Sequence, residues 1–315
     1  MRQSERTIDT TATDVALSRN NVRAVRWLDA TPRWIIAFFV TAFVTACAVS
    51  LTAASANAQL PQSLVCDEVE QSYIVKQTRL QDRGLDFFLF AAAAKGCEML
   101  VRRFLDLGAS PEARDRIGNT ALLLAARAGK RKIVQTLIDE GARLEHKNLA
   151  GDTALLLAAI GNRRGVVRLL IEAGADPKIG NKRRVTPLMA AAFNGNGSIG
   201  AILLKAGADP TPIDATGKTA TIYAAARGFS KVVALLLDAG ADVNQRAGNG
   251  LTALMWAAGH SNDVPEKDAL ATLNLLLARG AALDLADNRG RTARMTAMAQ
   301  GHAGIAARLA EAGAR

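Results

Sequence analysis

The sequence predicts an all-α solenoid of helix-turn-helix units joined by β-turn or hairpin loops. A threonine recurs at a spacing of 33 residues, and its last copy follows after a step of 40. A glycine stands 21 residues after this threonine, except in the fifth unit, where seven inserted residues make the spacing 28. The threonines of repeats one to six are, in order, Thr120, Thr153, Thr186, Thr219, Thr252 and Thr292. The glycines of the same repeats are Gly141, Gly174, Gly207, Gly240, Gly280 and Gly313. A fixed period of this length is typical of stacked structural repeats.

The fourth repeat shows how one unit is expected to fold. Thr219 is predicted to cap a helix over residues 220–226, because its hydroxyl can accept a backbone N–H at the helix start. Gly228 is expected to end this helix, since glycine enters the left-handed region without steric cost. A second helix is predicted over residues 230–239 and is closed by Gly240. Helices this short bury little alone, so stacking of the repeats must supply the stability.

Four short motifs recur in register along these repeats. They are Gly-x-Thr-(Pro/Ala)-Leu, Ala-Ala, Leu-Leu and Gly-Ala-Asp. With these motifs the chain closely resembles the ankyrin repeat family over roughly residues 85–315, where a degenerate first repeat precedes the six. The resemblance implies a non-enzymatic scaffold, expected to be a monomer without a cofactor, that binds a protein partner on its concave face.

The repeats depart from the family pattern at three places. The Thr-Pro pair occurs only at Thr186-Pro187, and Arg184 replaces the turn glycine of the third repeat. The family histidine three residues after the threonine is replaced throughout, by Leu123, Leu156, Met189, Ile222, Met255 and Met295. These changes are expected to alter local hydrogen bonding more than the fold.

Residues 1–58 are predicted to be a signal peptide. Arginines precede an uncharged apolar run over residues 35–51, and small residues follow up to Ala58, after which cleavage is expected. An uncleaved inner-membrane anchor with the repeats facing outward is one alternative, and lipidation at Cys47 is another. In each case we expect an exported bacterial protein. With the leader cleaved, it would be periplasmic or secreted, and it would contact a membrane only where the N-terminal segment is retained.

Residues 59–84 are predicted to form an N-terminal cap, with a helix over residues 65–80. A disulfide between Cys66 and Cys97 is expected to hold this cap on the degenerate repeat, because cysteines of exported chains are commonly paired. Two free thiols or a redox pair are the alternatives. In the degenerate repeat, Phe87 takes the position of the threonine.

Two later features concern single repeats. The insertion of the fifth repeat, around residues 261–268, is expected to lengthen its second helix and the loop before it. Arg294, two residues after the last threonine, is interpreted as a solvent-facing residue at the end of the solenoid.

No catalytic or metal site is predicted. The three histidines, His146, His260 and His302, do not have metal-ligand spacing, and no nucleophile or phosphate-binding motif is present. The net charge of +10 favours anionic partners. The densest basic runs, residues 127–132 and 182–184, are interpreted as solvated turns, and no nucleic-acid partner is expected.

A partner site is predicted by counting from each threonine to the turn tips and to the exposed side of the first helix. The candidate residues are Arg116, Asn119, Leu124, Arg127, Asp152, Leu157, Ile160, Arg183, Arg184, Phe193, Lys218, Tyr223 and Trp256. Tyrosine, tryptophan and arginine often dominate interfaces, and basic tips suit a protein segment with acidic and apolar groups. The alternative for Tyr223, Trp256 and the leucines is that they complete the core between repeats. The alternative function is a membrane-tethered structural or protective accessory without one specific ligand.

Overall fold

The computed structural model of the chain describes residues 62–77, 84–259 and 263–314. The predicted leader, the cleavage site after Ala58, Cys47 and His260 lie outside the described residues. Within those ranges the regular secondary structure is helical, and no residue is in a β-strand.

The described residues contain α-helices that we number in chain order. They are α1 Gln62–Gln77, α2 Gly84–Lys95, α3 Glu98–Asp106, α4 Ala121–Ala128, α5 Arg131–Asp139, α6 Ala154–Ile160, α7 Arg164–Glu172, α8 Pro187–Phe193, α9 Gly197–Lys205, α10 Ala220–Ala226, α11 Ser230–Asp238, α12 Ala253–Ala258, α13 Glu266–Ala278, α14 Ala293–Ala299 and α15 Ala303–Glu311. From α2 onward, even-numbered helices are the first helices of the repeats and odd-numbered helices are the second. First helices pack on first helices of adjacent repeats, and second helices pack on second helices. The predicted all-α solenoid is confirmed.

Threonine caps start the first helices as predicted, with one exception. The hydroxyl of Thr219 accepts the N–H of Ile222 at 3.1 Å. Thr153, Thr186, Thr252 and Thr292 make the equivalent bond. Thr120 does not, and its buried hydroxyl has no hydrogen-bond partner in the described part of the chain.

The turn tips between repeats are held by an acidic or amide side chain at the first position of the tip. Its oxygen accepts the backbone N–H groups two and four residues later, at Asp115, Asn148, Asn181, Asp214 and Asp287. The fifth repeat has Ala247 at this position and forms a 3-10 turn over Gly248–Gly250 instead. Each tip is also bonded to the next through the backbone, so the tips form a continuous edge of the solenoid.

The cap helix α1 lies three residues earlier than the predicted range, over Gln62–Gln77. Tyr73 is buried in the cap, and its ring meets those of Phe88 and Phe104 edge-on at 5.4 and 5.1 Å. The Sγ atoms of Cys66 and Cys97 lie at disulfide distance from each other.

The degenerate repeat starts differently from the six repeats that follow it. Phe87 does not cap the first helix but lies inside α2, where its side chain is 59% exposed. Without a capping threonine at this position, the helix extends three residues upstream to Gly84.

The insertion of the fifth repeat lengthens the second helix, as predicted. The second helix α13 has 13 residues, whereas α11 in the preceding repeat has nine. Pro265 precedes it, and Glu266 and Asp268 stand in its first turn, where the helix dipole favours negative charge.

Candidate functional site

An open apolar cleft of about 220 Å³ lies on the face formed by the first helices of repeats two to four. Its lining residues are Ile160, Val185, Met189, Ala190, Phe193, Asn194 and Tyr223. Met189 and Ala190 are buried in the floor, whereas Ile160 and Phe193 remain 44% and 46% exposed. Large apolar side chains that stay exposed beside a cleft are typical of a binding surface.

The repeat geometry builds this cleft from three adjacent first helices. Ile160 is the last residue of α6, and Phe193 is the last residue of α8. Asn194 follows α8, and its Nδ2 donates to the carbonyl oxygens of Ala159 and Ile160 at 3.2 and 3.1 Å. Because this amide ties the two helix ends together, the walls of the cleft are held at a fixed separation.

Aromatic rings and cations alternate along the same face. The Phe193 and Tyr223 rings meet edge-on at 5.8 Å, and the Arg227 guanidinium lies 4.6 Å from the Phe193 centroid. Lys218 lies between two rings, with its Nζ 5.9 Å from the Tyr223 centroid and 5.1 Å from that of Trp256. The face therefore presents apolar area together with positive charge.

Tyr223 is fixed by a buried carboxylate. Its hydroxyl donates to Oδ2 of Asp214 at 2.5 Å, and Asp214 is fully buried. Burial alone would raise the pKa of Asp214, but hydrogen bonds from the Tyr223 hydroxyl and from Lys218 and Thr216 outweigh it and lower that pKa. Burial, and then the bond to Asp214, raise the pKa of the Tyr223 phenol. The ring is thus oriented by the turn tip of its own repeat.

We expect Asp214→Asn to destabilise the protein by about 1–3 kcal/mol near pH 7, because the buried carboxylate accepts several hydrogen bonds. Since the folded pKa of Asp214 lies below its unfolded value of about 3.9, its stabilisation is complete above that value. It is lost as the pH falls through the folded pKa. Asparagine does not titrate, so the stability difference between wild type and Asp214→Asn should shrink below about pH 4.

Urea unfolding at a series of pH values measures this difference. Asp106→Asn, at an exposed carboxylate on α3, is the control and should preserve the wild-type loss of stability in acid. A difference between wild type and Asp214→Asn that stays constant from pH 7 to about pH 2.5 would contradict the assignment.

The structure places most of the predicted partner residues within reach of solvent. Arg116, Arg127, Ile160, Arg183, Arg184 and Phe193 are exposed, and Leu124, Asp152, Lys218, Tyr223 and Trp256 are half-buried. Tyr223 and Trp256 pack against the core with one part of the ring and stay accessible with another. They therefore contribute to the core between repeats and also remain available for contact with a partner.

Two predicted positions are corrected. Leu157 is only 6% exposed, because nearly all of the short helix α6 is enclosed by the neighbouring repeats. Asn119 is 5% exposed, and its side chain donates to Asp115 and accepts from Asn148, so it links two turn tips. Neither side chain is available at the surface.

Four residues of this face escaped the count from the threonines. Val185 and Met189 line the cleft beside Phe193, Asn194 closes it, and Arg227 stacks on the Phe193 ring. Three of them stand at fixed positions that the count could have included, since Met189 is three residues after its threonine and Asn194 and Arg227 are eight residues after theirs.

Two histidines have structural roles. Nε2 of His146 lies 2.8 Å from the carbonyl oxygen of Gly118, and Nδ1 of His302 lies 2.9 Å from that of Ala258. In the part of the chain that the structure describes, no group of three or more potential ligand side chains is arranged to hold a metal ion. No helix among the described residues has the length and apolar character of a membrane span.

Family profiles match the region that contains the cleft. The profile described as Ankyrin repeats (3 copies) matches residues 88–181, 164–247 and 188–266, and the profile described as Ankyrin repeat matches residues 249–288. The matches extend from residue 88 to residue 288, which is more than half of the 315 residues. No curated protein matches the chain.

Proposed function

The chain belongs to the ankyrin repeat family, and from this premise we propose that its first-helix face binds a segment of a partner protein. Ankyrin repeats indicate a protein-interaction scaffold, and the proposal includes no catalytic step. The open apolar cleft between Ile160 and Phe193 is the observation that carries it. Because scaffolds of one fold serve unrelated partners, the chemistry of the face is what identifies the ligand class.

The partner segment is an apolar side chain flanked by carboxylates. The cleft has room for one large apolar side chain, and its floor and walls are apolar except for Asn194. Arg183 and Arg184 are exposed on the turn tip of repeat three, which also contains Phe193, and Arg227 lies beside the Phe193 ring. Burial of an apolar anchor surrounded by complementary charge is the usual arrangement of an interface centre.

We expect Ile160→Ser combined with Phe193→Ser to weaken partner capture by at least about 10-fold, because exposed apolar anchors supply most of the binding energy. Selection of a displayed peptide library for binding to the full chain provides the measurement. Enriched peptides should carry one large apolar residue near Asp or Glu and should lose binding to the double variant.

Met99→Ser is the matched control, since Met99 is 80% exposed on the second helix of the degenerate repeat, away from the cleft. This variant should bind the enriched peptides as tightly as wild type. Both positions of the double variant are partly exposed, so its unfolding midpoint should remain close to that of wild type. Equal binding by wild type and the double variant would overturn the proposal.

We propose that this scaffold acts in the cell envelope. In this proposal the signal peptide is cleaved after Ala58, and Cys66 and Cys97 form a disulfide. The apolar run with its small-residue ending supports export, and the placement of the two cysteines supports the bond. The mass of the exported protein, measured without reduction, should correspond to a chain that begins at Gln59 and lacks two hydrogens. A full-length mass in the membrane fraction would instead favour the tethered accessory protein.

A further inference from the structure

A row of cations follows the short turns that join the first and second helices of repeats one and two. We call this row the basic edge, and it consists of Lys130, Arg131, Lys132, Arg163, Arg164 and Arg168. Lys130 is half-buried, and the other five are exposed. Within the described residues, this row forms a single salt bridge, between Lys132 and Glu98 at 3.6 Å. The basic edge therefore carries a large excess of positive charge.

The charges of the basic edge oppose the dipoles of the helices that carry them. Arg131 and Lys132 stand in the first turn of α5, and Asp139 ends that helix. Arg164 begins α7, and Glu172 ends it. Helix dipoles favour acids at the start and cations at the end. Helix stability therefore does not account for this arrangement, and solubility requires neither this sign nor this clustering.

The chemistry of the basic edge favours a flat anionic surface. Repeats one and two, residues 115–180, contain no aromatic residue on which a nucleic-acid base could stack. The apolar cleft of the first-helix face does not include any residue of the basic edge. Lys130, Arg131 and Lys132 border an open cleft of about 250 Å³, and long exposed cations in a row suit the headgroups of an anionic membrane.

The N-terminal part of helix α1 lies beside the basic edge. Cys66 lies at disulfide distance from Cys97 in the short turn of the degenerate repeat, and Glu68 pairs with Lys95 at 3.3 Å. The N-terminal cap helix α1 thus starts beside this turn. The side chain of Lys130 lies against Gly96, which is part of the same turn. In the sequence, the apolar run of residues 35–51 precedes α1 by ten residues, a length of at most about 36 Å when fully extended.

We propose that the basic edge rests on the anionic lipid surface of a membrane. The apolar run, where it is retained, would hold the chain close to that surface, and the cations would orient the solenoid on it. Where the leader is removed, the basic edge alone attracts the protein to anionic lipid. This surface is separate from the partner cleft, so the two proposals stand or fall independently.

The test compares binding of the full chain to two kinds of vesicle, one of phosphatidylcholine alone and one of phosphatidylcholine with phosphatidylglycerol. The edge variant carries Arg131→Gln, Lys132→Gln, Arg164→Gln and Arg168→Gln. The control removes the same charge from exposed turn tips, through Arg116→Gln, Lys182→Gln, Arg183→Gln and Arg289→Gln. The wild type should prefer the anionic vesicles, and the edge variant should lose that preference by about 100-fold or more at low salt. The ratio between vesicles cancels the contribution of the apolar run.

Two further readouts locate the contact and test the dipole argument. Acetylation of the vesicle-bound full chain should be blocked at Lys132 but not at Lys182 on a turn tip. The edge variant should unfold at the same temperature as wild type or higher, because its lost cations oppose the helix dipoles. An equal loss of preference in the tip control would overturn the proposal. Tighter binding of the basic edge to polyglutamate than to the anionic vesicles would overturn it in favour of an acidic protein.

Discussion

Gly217→Ala is expected to lower the free energy of unfolding by about 2–5 kcal/mol, from left-handed strain and overpacking together. Gly217 has a φ of +75°, where an L side chain is strained. An added Cβ would also meet the backbone of Gly248 in the next turn tip, 2.6 Å from its nitrogen. The atoms that would be contacted are backbone, so no side chain can rotate away. The hydrogen bond of 2.7 Å from the Gly248 N–H to the Gly217 oxygen would be lost if the tips separated.

Gly240→Ala separates the two causes of this loss. Gly240 has a φ of +93°, but nothing lies within 4 Å of a Cβ added there. This variant should therefore show only the cost of the left-handed backbone, about 1–2 kcal/mol. Chemical denaturation of both variants measures the difference. Equal destabilisation would mean that the contact between turn tips does not limit the fold.

The sequence predicted the local structure of the repeats closely, because the signals that start and end these helices are themselves local. The first helix of repeat four covers Ala220–Ala226 as expected, and its second helix, Ser230–Asp238, ends one residue before the predicted end. The substitution at Arg184 also behaved as expected, since Arg184 adopts a φ of 59° where other repeats have glycine. A cap or a left-handed turn residue depends on its near neighbours in the chain, and those are visible in the sequence.

Contacts between repeats were harder to predict. Asn119 has the composition of a surface turn, but it is buried because it accepts a hydrogen bond from Asn148 in the next repeat. Thr221 stands where neighbouring repeats have leucine, and its buried hydroxyl has no partner among the described residues. Whether such a group is exposed, paired or enclosed is decided by side chains about one repeat away. The count from the threonines does not contain that information.

The C-terminal end shows the same limit. Arg294 was interpreted as a solvent-facing residue, but it is half-buried. Its Nη1 donates to the carbonyl oxygen of Ala314 at 3.2 Å. The last helices therefore cover their own open side with this side chain. The periodic pattern that identifies the repeats stops at this end and gives no such indication.

Leu155→Ala is expected to lower the free energy of unfolding by about 2–5 kcal/mol, because a buried leucine leaves a cavity when it is truncated. Leu155 is 1% exposed and lies in α6, between the first helices of repeats one and three. A cavity there weakens two interfaces, since each repeat of a solenoid is stabilised by both neighbours. Urea unfolding measures the loss, and hydrogen exchange should show it most strongly in repeats one to three.

Leu149→Ala is the matched control for this prediction. Leu149 lies six residues before Leu155 on the turn tip of the same repeat, and its side chain is 63% exposed. Truncation at an exposed position leaves no cavity, so its effect should stay within about 0.5 kcal/mol. An unchanged unfolding midpoint for Leu155→Ala would place the core on the wrong face of the first helices. Since the cleft between Ile160 and Phe193 is assigned to the opposite face of the same helices, that result would also remove the structural basis of the partner site.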